Sequence, residues 1–90
     1  MQHDIFKALG DVTRRQILEM LAKEGDLSAG DIAARFEMSA PSVSHHLSIL
    51  KASGLLQDRR EKQHVVYHLN RGVLEKLRAW LDSLEADATP

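Results

Sequence analysis

Two helix starts lie eleven residues apart in the middle of this chain, at Ser28 and Ser39, and that spacing constrains the fold more than any other feature. Ser28 with Asp31 fits a capping pattern, and Ile32, Ala33 and Phe36 supply an apolar stripe for a helix of about eight residues. Glu37-Met38-Ser39 then forms a short connection. Ser39 caps a second, longer helix with Pro41 in its first turn, where a missing N–H costs nothing. This helix runs to about Ser53, and Gly54 stops it. Helices joined by so short a turn form a helix-turn-helix unit, here at about residues 28–53, whose second helix is the one offered to DNA.

The flanking segments complete a pattern. Ile5, Phe6 and Leu9 mark a short first helix ended by Gly10. A second begins at Asp11 or Thr13, both of which fit capping spacings, and buries Ile17, Leu18 and Leu21 before Gly25. After Gly54 the period changes from helical to alternating. Leu55–Arg60 and His64–Asn70 read as two strands around a tip near Glu61-Lys62-Gln63. Val65, Tyr67 and Leu69 alternate with Val66 and His68, which suits a sheet with one buried face. A last helix spans about Val73–Ala86, and Glu85–Pro90 reads as a frayed tail. The expected architecture is mainly α with a small β-hairpin, in the order α-α-α-α-β-β-α. It is a winged helix-turn-helix in one domain over residues 1–90, with the wing at about 55–70.

Charge supports the same partner once its distribution is considered. The net charge is −1. Residues 39–71, however, carry five basic side chains (Lys51, Arg59, Arg60, Lys62, Arg71) against Asp58 and Glu61, and four of the five histidines. Local patches, not totals, meet phosphates. The absence of cysteine excludes disulfides and thiolate chemistry. No apolar run approaches the roughly 18 residues of a membrane span, and no signal peptide opens the chain, so a cytoplasmic protein is expected.

On a helical wheel Val43, Leu47 and Leu50 point inward and His46 flanks them. The outward face carries small hydroxyls and one imidazole where a solvated face would carry Lys, Glu and Arg. Ser39, Ser42, Ser44, His45, Ser48 and Lys51 are therefore candidate DNA contacts. Arg59, Arg60 and Lys62 at the wing tip suit phosphate or minor-groove contact, though charge also keeps an edge hairpin soluble. Arg14 and Arg15 can reach a phosphate, or one of them pairs with Glu19. In the last helix Val73, Leu77, Trp80 and Leu84 share a face that Leu74 and Leu81 widen. With Ile5, Phe6 and Leu9 they form the expected homodimer interface, as paired half-sites require two-fold symmetry.

The histidines offer no metal site. His45 and His46 diverge on a helix, His64 and His68 stand about 13 Å apart along a strand, and His3 is isolated. Only cross-subunit pairing keeps a metal conceivable. No P-loop, nucleophile elbow or HExxH is present, so neither catalytic residues nor a cofactor is expected.

Matched in order, these segments resemble the ArsR/SmtB family of winged-helix repressors over nearly the whole chain. Residues Leu9–Leu18 are similar to its L-x-D-x-T-R-R-x-I-L opening, and Leu27–Ala33 to its first helix-turn-helix helix. Ser39–Leu47 with Leu50–Leu56 is close to its S-x-P-x-V-S-x-H-L-x-x-L-x-x-A-G-L-V signature, and Val65–Leu69 matches the returning wing strand. The resemblance implies a homodimer joined through its first and last helices. It also implies an imperfect inverted-repeat operator, repression by blocking polymerase, and base reading by Ser42, Ser44, His45 and Ser48. Many members sense metals through cysteines on the first helix-turn-helix helix or Asp/His pairs on the last helix; this chain has neither. It looks most like the SdpR-type autorepressor branch, which lacks metal sites. Val12 stands where proline is common, and the wing tip has no glycine. The inducer is left open between a protein partner and a small ligand. A winged-helix protein-interaction module without DNA binding and a metal sensor with other ligands remain as alternatives.

Overall fold

The computed structural model describes residues 4–88, so the expectations for His3 and for the last two residues of the tail lie outside the described residues. The elements are α1 (Ile5–Leu9), α2 (Val12–Glu24), β1 (Leu27–Ser28), α3 (Ala29–Ala33), α4 (Ala40–Ala52), β2 (Leu56–Glu61), β3 (His64–Leu69) and α5 (Arg71–Ala88). Every helix expected from the sequence is present. Asp11, not Thr13, caps α2: its carboxylate accepts from the Arg14 N–H at 3.1 Å. Ser28 Oγ accepts from Asp31 N–H at 3.1 Å, and Ser39 Oγ from Ser42 N–H at 3.2 Å.

The hydrogen bond from Arg14 N–H, opposed by desolvation and helped by the charges of His46 and Arg14, holds the Asp11 carboxyl below its ordinary pKa. A depressed folded value means that the cap's ionic contribution is complete above about pH 4 and is lost as pH falls through the folded value. Thermal unfolding between pH 6 and 3 is expected to show this decline, and Asp11→Asn, which can still cap but cannot titrate, to flatten it. A decline unchanged in the variant would place its origin elsewhere.

Four features differ from expectation. Leu27 and Ser28 form a strand that pairs with Tyr67 and Val66, so the wing belongs to a three-stranded antiparallel sheet in the order β1-β3-β2. α3 is shorter than expected, because after Ala34 the chain tightens to i→i+3 bonds, Arg35 N–H to Ile32 O and Phe36 N–H to Ala33 O. The sheet also lacks a single buried face. Tyr67 and Leu69 pack against the core, while Val66 on the opposite face is only 8% exposed. Finally, α5 continues through Ala88 where fraying was expected from Glu85.

The core unites Ala8 of α1, Ile17 and Leu21 of α2, Ile32 of α3, Val43, Leu47 and Leu50 of α4, and Leu55 and Leu56 at the wing base. Gly54 turns the chain out of α4 at φ 88°, a conformation glycine adopts without strain. Ser53 reinforces the turn, donating to Leu50 O at 2.7 Å and accepting from Leu55 N–H at 3.3 Å. The radius of gyration, 14.5 Å, exceeds the roughly 12 Å of a compact chain this long. The excess comes from α5: Val73 and Leu74 join the core, and beyond them the helix leaves it.

Candidate nucleic-acid interface

α4 is held by its apolar side and presents the other. Val43, Leu47 and Leu50 are buried, whereas Ser39, Ser42, Ser44, His45, Ser48 and Lys51 are all exposed. The first two are organised locally: Ser39 Oγ donates to Ser42 Oγ at 3.0 Å. Five of these six side chains are short or planar, and none is acidic, so a polyanion can approach the helix closely.

Strand alternation divides the wing cations. β2 and β3 pair from Leu56 with Leu69 to Glu61 with His64, leaving Lys62-Gln63 as a two-residue tip. Lys62 takes φ 57°, filling the left-handed position where glycine would sit without cost. Asp58 faces α4 and receives the Lys51 ammonium at 3.0 Å. This carboxylate holds the lysine pKa up, and Tyr67 stands beside the pair, its phenol raised by burial. Arg60, two residues on, is on this same face and forms no ion pair among the described residues. Arg59 is on the opposite face, where its guanidinium donates to Asp26 at 2.8 Å and to Glu61 at 2.6 Å. The three expected wing contacts are thus not equivalent. Arg60 and Lys62 keep their charge available, and Arg59 is engaged.

Arg14 lies where α1, α2 and α4 meet. Its Nε donates to Ala8 O at 2.7 Å, one Nη to Lys7 O at 3.2 Å, and the other to His46 Nδ1 at 3.2 Å. Three of the five N–H donors of the guanidinium are thereby engaged at the end of α1 and on α4. Arg15 donates to Leu9 O at 2.6 Å, and neither arginine pairs with Glu19 among the described residues. Sequence reasoning missed Asp26 and the pairing of Arg35 with Glu24 across the α2–α3 corner. A two-residue strand is too short to show a period, so nothing marked Asp26 as lying beside the wing.

The expected dimer residues also separate. Ile5, Leu9 and Val73 are partly buried against the core, and Leu77 is half-buried. Phe6, Trp80, Leu81 and Leu84 are 49%, 46%, 51% and 46% exposed. Phe6 and Trp80 touch with ring centroids 4.8 Å apart, joining α1 and α5 into one apolar ridge.

A short-turn helix pair, an outward helix free of acids and a β-hairpin with cations at its tip define a known architecture. Residues 11–58 match the family model described as "Bacterial regulatory protein, arsR family". The chain belongs to this family. It is 48% identical over 79 residues to the "Transcriptional repressor SdpR" of Bacillus subtilis (strain 168), a match that covers 88% of this chain and 87% of that protein. The structure of an ArsR-like transcriptional regulator from Rhodococcus sp. RHA1 superposes with a TM-score of 0.81 at 31% identity, covering 92% of this chain and 77% of that one. A homodimeric winged helix-turn-helix DNA-binding domain from Mycobacterium bovis, described as a possible ArsR-family regulator, does so with a TM-score of 0.71 at 29% identity. That match covers 94% of this chain and 78% of that one. This ArsR-family chain therefore has the winged helix-turn-helix fold of a transcriptional regulator, with α3 and α4 as the helix pair and β2–β3 as the wing. Among the described residues no helix is long and apolar enough to cross a membrane.

Proposed function

We propose that this ArsR-family chain is a homodimeric transcriptional repressor that binds an inverted-repeat operator, acts without a metal and controls its own operon from the cytoplasm. The observation that carries the reading is the exposed face of α4, where Ser42, Ser44, His45 and Ser48 stand free of acidic neighbours on their own helix. Arg60 and Lys62 extend this surface along the wing. Two such surfaces, related by the apolar ridge of α1 and α5, suit half-sites about one helical turn of DNA apart. Support for metal independence is chemical: the chain has no cysteine, and Arg71–Ala88 has no histidine. Autorepression rests on the resemblance to the SdpR branch. Relief by a protein or a small ligand is part of the same proposal.

Fluorescence anisotropy on the duplex upstream of the chain's own gene, against scrambled DNA, tests it across a salt series with and without zinc. Selective, salt-sensitive and zinc-indifferent binding is the expected result. Binding without preference over scrambled DNA would sink the autorepressor assignment. The wing gives a sharper test. Arg60→Ala is expected to lower the log–log salt slope by about 2, one phosphate in each half of a dimer. Arg59→Ala should leave that slope nearly unchanged, since its guanidinium is bound to Asp26 and Glu61. Equal slopes for the two variants would refute the division of the wing.

A further inference from the structure

The contact between Arg14 and His46 has a chemical consequence that the DNA-facing surface does not use. Arginine can only donate, so His46 Nδ1, 3.2 Å from an Arg14 nitrogen, must be an acceptor and the ring proton must lie on Nε2. The same guanidinium grips the carbonyls of Lys7 and Ala8 at the end of α1. One side chain thereby ties α1, whose Phe6 belongs to the apolar ridge, to the helix that carries His45 and the serines. The Asp11 carboxylate waits 3.7 Å from the same Nδ1, beyond hydrogen-bond reach but within ion-pair range.

We propose that Arg14 and His46 form a joint that sets the recognition helix relative to the dimer-forming end, and that the joint is closed only while His46 is neutral. This inference rests on the DNA-binding reading above. Protonation turns Nδ1 from acceptor to donor. It then repels the guanidinium and turns toward Asp11, which already caps α2 through Arg14 N–H. Among the described residues, the charged groups in contact with the ring are Asp11 and Arg14 from α2. Behind Arg14, Asp4 and Lys7 line a cavity of about 170 Å³ with Ala8 and Ile49. On α4 itself the His45 ring centroid is 6.2 Å away. The sign is opposite to that of His45, which as an exposed imidazole at a polyanion would bind better when charged. Arg14 and His46 are positioning residues and need touch no base.

Two measurements test the joint. Histidine nitrogen NMR of the wild-type protein at pH 8 should show His46 as the Nε2–H tautomer, and acidification should shift the Lys7 and Ala8 amides together with it. An Nδ1–H tautomer overturns the proposal. In the second, operator affinity is compared between wild type and His46→Asn, whose Oδ1 can accept from Arg14 but does not titrate. The ratio of the two affinities should move at least about threefold in favour of the variant from pH 8 to pH 6, because only the wild-type joint depends on a neutral imidazole. Taking the ratio cancels any contribution from His45. A ratio independent of pH refutes the joint. No operator binding at either pH would count against the DNA-binding reading, and the tautomer would then decide the joint alone.

Discussion

Leu81→Asp is expected to convert the protein to a monomer and to weaken operator binding by at least about a hundredfold, the usual loss when two linked sites become one. Leu81 is half exposed and lies outside the core of its own chain, so the substitution should leave the helices intact. In a dimer it would sit within the ridge formed by Phe6, Trp80 and Leu84, and burying an unpaired carboxylate there is costly. Sedimentation velocity reads the assembly, circular dichroism the fold and anisotropy the affinity. A Leu81→Asp protein that still sediments as a dimer would show that the partner is held elsewhere. Leu81 is the cleaner probe than Trp80, which also packs on Phe6 within the chain.

Arg14→Ala is expected to have the largest effect on stability, about 3 kcal/mol, because hydrogen bonds to a charged group are lost and the Ala8 carbonyl loses its arginine donor. For a domain of this size that lowers Tm by roughly 10–20 °C. Arg15→Ala, which removes one exposed bond to Leu9 O, should cost no more than about 0.5 kcal/mol. Paired thermal unfolding of the two variants checks the contrast. Similar losses would mean that the part-buried contacts to Ala8 and His46 do not carry the junction. The two arginines are adjacent in sequence, and only their three-dimensional surroundings distinguish them.

That distinction shows how far the residues alone could be taken. Helix starts were legible where they are local, whereas the ends of α3 and α5 were not. A serine or aspartate whose side chain meets a nearby N–H, a proline in a first turn and a glycine at the end of α4 each act within a few residues. The inward stripe of α4 was legible for the same reason, since 3.6 residues per turn puts Val43, Leu47 and Leu50 on one side whatever they meet. The exposed serines and His45 follow from that stripe. The wing was legible as a hairpin through its change of period.

What the local pattern did not contain was partnership. β1 has two residues, too few for any period, and exists because β3 offers it a ladder edge. The separation of Arg59 from Arg60 depends on register, which sends adjacent strand residues to opposite faces, and on Asp26, thirty-three positions away in the chain. The commitment of Arg14 to Lys7, Ala8 and His46 likewise needs α1, α2 and α4 to meet. By itself, then, the amino-acid sequence determined the five helices and the two wing strands, the inward stripe of α4, and that α4 carries hydroxyls and an imidazole on its outer face. Tertiary structure alone decided which cations lie in ion pairs within the described residues, as Lys51 and Arg59 do. A charge's availability depends on what lies within a few ångströms of it, and those neighbours come from distant parts of the chain.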